Sequence, residues 1–447
     1  MAGNRVAIQS NAMPAGGPAA QQPVPAALTP ADINALVEEM VPAVARFRSQ
    51  SSPLEVPLDS QILGLGGQAG IRIASVGLGY RVITHVTAIL TLQNTSGGAQ
   101  VVSFSPRFPY NLIVNEAVQI NGGATVYSAS GPASLGVWAR TRRGFFIDSL
   151  QGGFGPALNP AICQIATVNA TVTNAGAARG INAFGVLSGI ASISIAAATT
   201  ATITADFYII EKLALDRDSL LGALPLQNNS TYATLTRTAA ASLVGPNGTN
   251  LTPFSTAGAV PGTLIPAVTS ITIKSTYQFW SVPSDPGLYQ EMVQNSYQVQ
   301  EQTGLSIAAT GPTGLIYNVP QNQYLVAAHI LANDNNGAFM TPDFLSRVAL
   351  QYNAGGVIPV NRFQDRMRAD QFSDYGADLA MLPGYILWDG DATAESVIST
   401  DQAGWVDTYA AATPQLVADV KAALVTPLAY SLTRESVVAG AVQVVGG

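Results

Sequence analysis

His85 and His329 are the two histidines of the chain, and imidazole is the side chain best suited to proton transfer near neutral pH or to holding a divalent metal. Each sits inside an apolar alternating run, and neither belongs to a His-x-x-x-His or similar ligand spacing, so both read as strand residues with satisfied rings. Cys163 is the single cysteine. It opens a strand in Ile162-Cys163-Gln164-Ile165 without a histidine signature, which favours a small buried packing residue over a nucleophile and excludes a disulfide within the chain. Gly64-Leu65-Gly66-Gly67 and Gly77-Leu78-Gly79 look like phosphate-cradling glycines, but no Gly-Lys-Ser/Thr follows and no strand-to-helix step frames them. They read as turns or strand crossings.

Asp389 and Asp391, and the run Asn333-Asp334-Asn335-Asn336-Gly337, carry the oxygen ligands that calcium takes. The twelve-residue loop pattern is absent, so Asx-rich turns are expected. A glycosidase would need two carboxylates converging at about 5 to 9.5 Å, which even an acid-poor chain could hold. Arg140-Thr141-Arg142-Arg143 is the dense basic cluster; Arg140, Arg142 and Arg143 could meet phosphate on nucleic acid or lipid, or form a solvated loop or an inter-subunit salt-bridge patch. Trp138, Trp280, Trp388 and Trp405 lie in or beside strands, as core or interface anchors. The sequence therefore predicts no catalytic residue, no metal ligand, no cofactor and no small-molecule substrate.

The elements that would position these residues are mostly strands. Alternation of period 2 runs through residues 82–92 and 165–173, and most cleanly through Ala201, Ile203, Ala205, Phe207 and Ile209, with Thr202, Thr204, Asp206 and Tyr208 on the other face. Turn residues 94–98 and 121–123 separate such runs. The pattern resumes at 232–238, 271–280, 304–308, 324–331 and 347–352. Residues 414–424 fit either a short helix or a strand. A charged stretch, 211–218, interrupts the neutral polar pattern and places a domain boundary after residue 213. Residues 428–435 alternate and end on Glu435 as residues 207–211 end on Glu211, a weak sign that the two halves close alike.

Ahead of the strands, residues 1–28 are a Gly, Pro, Ala and Gln array that cannot order without partners. Thr29, Pro30 and Asp32 then open a helix whose apolar face carries Ile33, Leu36, Val37, Met40, Val41, Val44 and Phe47. Pro42 should kink or end it. Ile33, Leu36, Val37 and Met40 are candidate assembly or inner-face contacts, to another subunit or a membrane, with packing on the following domain as the competing role.

Composition constrains what such a chain can be. Charged residues make up 11% of its 447 residues and hydrophobic ones 48%, against roughly 25% charged in ordinary soluble domains. Walls so poor in charge persist in water when neighbours cover them. No apolar run reaches the roughly 18 residues of a membrane span, and Gly, Pro and Thr interrupt throughout. A net charge of -7 argues against an inner surface that grips nucleic acid everywhere, leaving genome contacts local or indirect. Lysine occurs only at Lys212, Lys274 and Lys421, with arginine supplying the rest, which suggests a GC-rich bacterial genome or its phage. Many short strands without alternating long helices predict a mainly β chain of antiparallel sandwiches, and two tandem jelly rolls fit the length.

Residues 362–389, from Arg362 to Met367 and from Tyr375 through Leu382-Pro383-Gly384-Tyr385-Ile386-Leu387-Trp388-Asp389, resemble the second roll of the double jelly-roll major capsid proteins of tailless icosahedral bacteriophages. In that family a Pro-Gly-aromatic turn feeds a strand ending in an acidic residue, followed by a Thr-Asp or Asp-Thr step, here Thr400-Asp401 and Asp407-Thr408. The plan is similar too: an N-terminal arm and helix at 1–50, a first roll at 51–213, a second at 214–438 and a tail at 439–447. The resemblance implies a non-enzymatic virion subunit, folded in the host cytoplasm, that forms a homotrimer and a pseudo-hexagonal capsomer. Its partners would be neighbouring capsomers, penton or minor capsid proteins, and an internal membrane or genome through the N-terminal region. The alternatives are a jelly-roll spike or carbohydrate-binding virion protein and a β-rich glycosidase. The mixed α/β shell fold of tailed phages ranks behind, because no long spine helix follows residue 48.

Overall fold

A computed structural model of the chain describes residues 43–73, 75–104, 109–140, 163–173, 192–215, 219–227, 231–241, 254–255, 263–307, 311–333, 345–352, 357–363, 385–390, 405–408, 414–420 and 428–439. The chain is mainly β, with its sheets in two jelly-roll-like bodies.

In the first body the central strand is Leu78–Asn94, flanked on both sides by antiparallel partners, Thr200–Lys212 and Leu264–Trp280. Pro53–Pro57 and Cys163–Val168 extend this sheet at its two ends. The alternation read from the sequence is the alternation of burial: Val82, Val86, Ala88, Leu90 and Leu92 face inward beside Ala201, Ile203, Ala205, Phe207 and Ile209. Opposite lies a second sheet, in which Ala233–Ala239 pairs on one side with Gln68–Ile73 and on the other with Ile113–Ile120, followed by Ala124–Ala129. Ile71, Val118, Ile120 and Leu235 meet the first sheet in one core. Burying a side chain of this size contributes about 1.5 to 3 kcal/mol, so matched inward rows hold the two sheets face to face.

In the second body Leu428–Ala439 lies between Asn295–Ile307 and Tyr324–Asn333, and Tyr385–Asp389 adds to the latter. A four-stranded sheet holds Gly311–Asn318, Gln415–Val420, Leu345–Tyr352 and Val357–Phe363. Residues 414–424, open between helix and strand on sequence, thus contain a strand. The two bodies share an edge where Asn295–Ile307 runs parallel to Ala124–Ala129, through Val299 opposite Tyr127 and Gln300 opposite Ser128.

Strand pairing continues across residue 213, where the sequence placed a boundary. Ala233–Ala239 and Leu264–Trp280, both beyond it, pair with strands that precede it. The charged stretch misleads because Glu211 and Lys212 lie within the strand Thr200–Lys212 and are buried, not solvated in a linker.

Helix Ala43–Gln50 follows Pro42 in sequence. Phe47 is fully buried among Leu78, Tyr80, Trp280 and Leu288, and the Arg48 guanidinium lies 5.4 Å from the centre of the Trp280 ring. Ile33, Leu36, Val37 and Met40 lie outside the described residues. Among the described residues no helix is long and apolar enough to cross a membrane.

Candidate functional site

Two clusters of buried charge stand out among the described residues, and one helix touches both. That helix, Gly131–Arg140, was not expected from the sequence, although Ser130 with Pro132 is an N-terminal signature. The Ser130 hydroxyl lies 3.4 Å from the Ala133 amide. Ser130 is itself held from the second body, its amide donating to Glu301 Oε2 at 2.5 Å and its hydroxyl to Oε1 at 3.1 Å.

The first cluster lies between the sheets of the first body. Arg237 occupies an inward position in phase with Ala233, Leu235 and Ala239, and it is fully buried. Its Nη2 donates to Glu211 Oε1 at 2.5 Å and also to Thr84; its Nε stands 3.2 Å from Glu211 Oε1 and 3.3 Å from Glu116 Oε1. Thr84 Oγ1 lies 3.0 Å from both Glu211 oxygens. The Tyr127 hydroxyl donates to Ser134 Oγ at 2.7 Å, and Ser134 donates to Glu116 Oε2 at 3.0 Å. Glu116 and Glu211 are both 0% exposed. Two carboxyl groups therefore face one guanidinium out of reach of bulk solvent. Burial, and then the charge of Glu211, push the Glu116 carboxyl well above the usual carboxylate range, against the opposing pull of Arg237. Paired acids of this kind could exchange a proton, yet no substrate reaches a pair with no exposed surface.

The second cluster joins the two bodies. Arg140, the last residue of its helix, grips Glu435 on the strand Leu428–Ala439 with both ends of its fork, Nε to Oε1 at 2.6 Å and Nη2 to Oε2 at 2.8 Å. Arg140 Nη1 also lies 3.3 Å from Asp389 Oδ1. Lys212 Nζ stands 3.5 Å from Glu435 Oε2, His329 Nε2 donates to Oε1 at 2.8 Å, and the Tyr297 hydroxyl donates to Oε2. Burial opposes the Glu435 charge, but Arg140, Lys212 and the hydrogen bond from His329 overcome it and hold the carboxyl well below the usual range. Burial and the neighbouring Glu435 charge push the Tyr297 phenol up. Gly222, with φ +72°, lets the chains close here: Tyr297 N donates to Gly222 O at 3.1 Å, and a Cβ at that position would come within 2.2 Å of Tyr297 N.

The sequence-predicted residues fall out accordingly. Arg140 is 4% exposed, so its charge is neutralised inside the chain and is not presented to phosphate, to solvent or to another subunit; Arg142 and Arg143 lie outside the described residues. Asp389 ends its strand as the resemblance implied, and its carboxylate meets Arg140; Asp391 and residues 334–337 lie outside the described residues. His329 has a satisfied ring within its strand. His85 is half-buried, 3.6 Å from Asp206, with its ring 4.9 Å from that of Tyr208. Cys163 begins its strand. Trp138, Trp280 and Trp388 are buried. Among the described residues no group of three or more His, Cys, Asp or Glu side chains could hold a metal.

Arg237, Glu116 and Glu211 were missed as a group. For Glu211 a signal exists, because it continues the inward row of Ala201 to Ile209 without a break in phase.

Paired sandwiches joined along one edge define the double jelly-roll fold. No protein-family model matches the sequence, and no curated protein matches it. Among solved structures, the chain is similar to the crystal structure of the STIV MCP, with a TM-score of 0.54 and 12% identity over 87% of this chain and 97% of that one. It is also similar to a chain of the atomic structure of Sulfolobus Turreted Icosahedral Virus, with a TM-score of 0.51 and 12% identity over 87% and 91% of the two chains. Such structures are double jelly-roll major capsid proteins of tailless icosahedral viruses. A chain of the PBCV-1 virus capsid gives a TM-score of 0.47 at 12% identity, over 87% of this chain and 94% of that one.

Proposed function

We propose that this chain is a major capsid protein, a structural subunit that associates into homotrimeric, pseudo-hexagonal capsomers and then into an icosahedral virion shell. The observation that carries the reading is the double jelly-roll fold, matched over 87% of the chain, on a sequence in which only 11% of residues are charged. Part-exposed rows of the first body, such as Ile83, Thr87, Ile89 and Thr91 or Thr202 and Thr204, interrupted by the His85–Asp206 contact, carry little charge to desolvate when a neighbour covers them. Such a subunit acts by association and not by turnover. The first roll extends through the strand Leu264–Trp280 and the second begins at Asn295, with the link at residues 281–294. Residues 1–50 form the arm and helix, facing the genome or an internal membrane, and residues 440–447 a short tail. Neighbouring capsomers and penton or minor capsid proteins are the partners.

Sedimentation of the purified chain, followed by electron microscopy of the assembled material, tests this. Trimers that build closed shells are expected. A protein that stays monomeric at micromolar concentration and forms no lattice would overturn the reading.

A further inference from the structure

We propose that the Glu116–Glu211 pair keeps one proton at neutral pH, and that removing this proton in alkali loosens the first body, so that the pair is an alkaline-sensitive release built into its core. The proposal concerns the folded chain alone and holds whether or not the chain forms a shell.

The geometry carries it. Glu116 on Ile113–Ile120 and Glu211 on Thr200–Lys212 come from opposite sheets and both reach the same Arg237 Nε, at 3.3 and 3.2 Å. Among the described residues, the other groups that bond to this cluster are neutral: Thr84, Ser134, Gln61 and, through Ser134, Tyr127. Ser275 completes the ring at 3.2 Å from Thr84. Lys212 follows Glu211 in sequence, but its ammonium pairs with Glu435 in the other cluster. Glu435 is also an anion and acts on Tyr127 in the same sense as Glu116 and Glu211 do. One guanidinium neutralises one carboxylate, and a second bare carboxylate in a fully buried site is costly enough that such a group takes up a proton instead.

Of the two acids, Glu116 is the one that keeps it. Glu211 accepts from Arg237 at 2.5 Å and from Thr84 at 3.0 Å, whereas Glu116 has Ser134 at 3.0 Å, the longer Arg237 contact and the Glu211 carboxyl itself, a partner that a protonated Glu116 can donate to. The upward displacement of Glu116 by burial and by Glu211 agrees with this. A carboxyl whose folded pKa is raised contributes stability that is complete below its unfolded value, about 4.3, and is lost as pH rises through the folded one.

The test is the unfolding constant of the full chain from about pH 6 to pH 10, for wild type, Glu116→Gln and Glu211→Gln. Relative to Glu116→Gln, the wild-type constant should rise by up to about tenfold per pH unit until the proton is gone. Glu211→Gln should also lose the slope, because one carboxylate then faces one guanidinium. Parallel curves for wild type and Glu116→Gln, or an undiminished slope in Glu211→Gln, would overturn the proposal. Should either variant fail to fold, infrared spectroscopy of the wild type decides. The carbonyl stretch of a protonated carboxylic acid is expected at neutral pH and should vanish as the protein loosens in alkali, and its absence at neutral pH would equally overturn the proposal.

Discussion

The cluster inside the first body and the clasp between the bodies use the same side chains, glutamate, arginine, tyrosine and a strand-borne hydroxyl or imidazole, at similar depth. Their charge balance differs. Inside the first body two carboxylates share Arg237; in the clasp Glu435 and Asp389 meet Arg140 and Lys212, with His329 and Tyr297 donating as well. Burial and an excess of acid leave Glu116 raised, and an excess of donors, working against burial, leaves Glu435 depressed. Alternation also assigns them: Glu211 and Lys212 are adjacent, so their side chains leave the strand on opposite faces, one into each cluster.

The largest break in this comparison is Arg237→Met. It leaves a buried carboxylate without a counter-ion beside a second buried acid, and breaking a buried pair in this way costs about 3–5 kcal/mol. Urea unfolding should show that loss near neutral pH and partial recovery in acid, where the stranded charge is removed. Recovery with rising pH instead would mean that Arg237 is not what neutralises it.

Glu435→Gln should come next, at about 3 kcal/mol, because Arg140 keeps Asp389 while Arg140 and Lys212 both lose the Glu435 charge. Here the sign of pH dependence is reversed. A depressed carboxyl contributes stability above its unfolded value of about 4.3 and loses it as pH falls through the folded value. Wild type and variant should therefore differ at neutral pH and converge in strong acid. Hydrogen exchange in Asn295–Ile307 and Leu428–Ala439 locates the effect; acceleration confined to the first body would show that Glu435 does not hold the junction.

Gly222→Ala probes the clasp without touching a charge. The residue sits at φ +72° against the Tyr297 backbone, and an added methyl group must push the bodies apart or distort the turn, at about 1–3 kcal/mol. Its unfolding constant should shift equally at all pH values, which separates packing loss at the junction from loss of ionisation.

The strands were legible because burial on one face imposes period 2, and 82–92 and 201–209 became strands with the expected faces; 324–331 also became a strand, but one buried on both faces. The partners of each strand were not legible. Nothing in residues 233–239 says that they pair with Gln68–Ile73 and Ile113–Ile120, because pairing is a long-range choice among similar neutral faces. Charge misled for a related reason. A charged stretch reads as solvated, and only a partner far away in sequence, Arg237 for Glu211 or Glu435 for Lys212, makes its burial affordable. The likeness between the ends at Glu211 and Glu435 was visible as a repeat; that each ends in a buried ionic cluster was not.

The smallest effect is expected in the second body's four-stranded sheet, where Arg347 Nε donates to Asp419 Oδ2 at 2.7 Å. The contact is as short as the Arg140–Glu435 fork, but the two side chains keep 30% and 15% of their exposure. Water then solvates both ions whether or not they touch, so Arg347→Met should cost about 1 kcal/mol or less, and added salt should shrink the difference further. Near-equal losses for Arg347→Met and Glu435→Gln in urea unfolding would show that distance, not burial and the balance of charge, sets the worth of ion pairs in this fold.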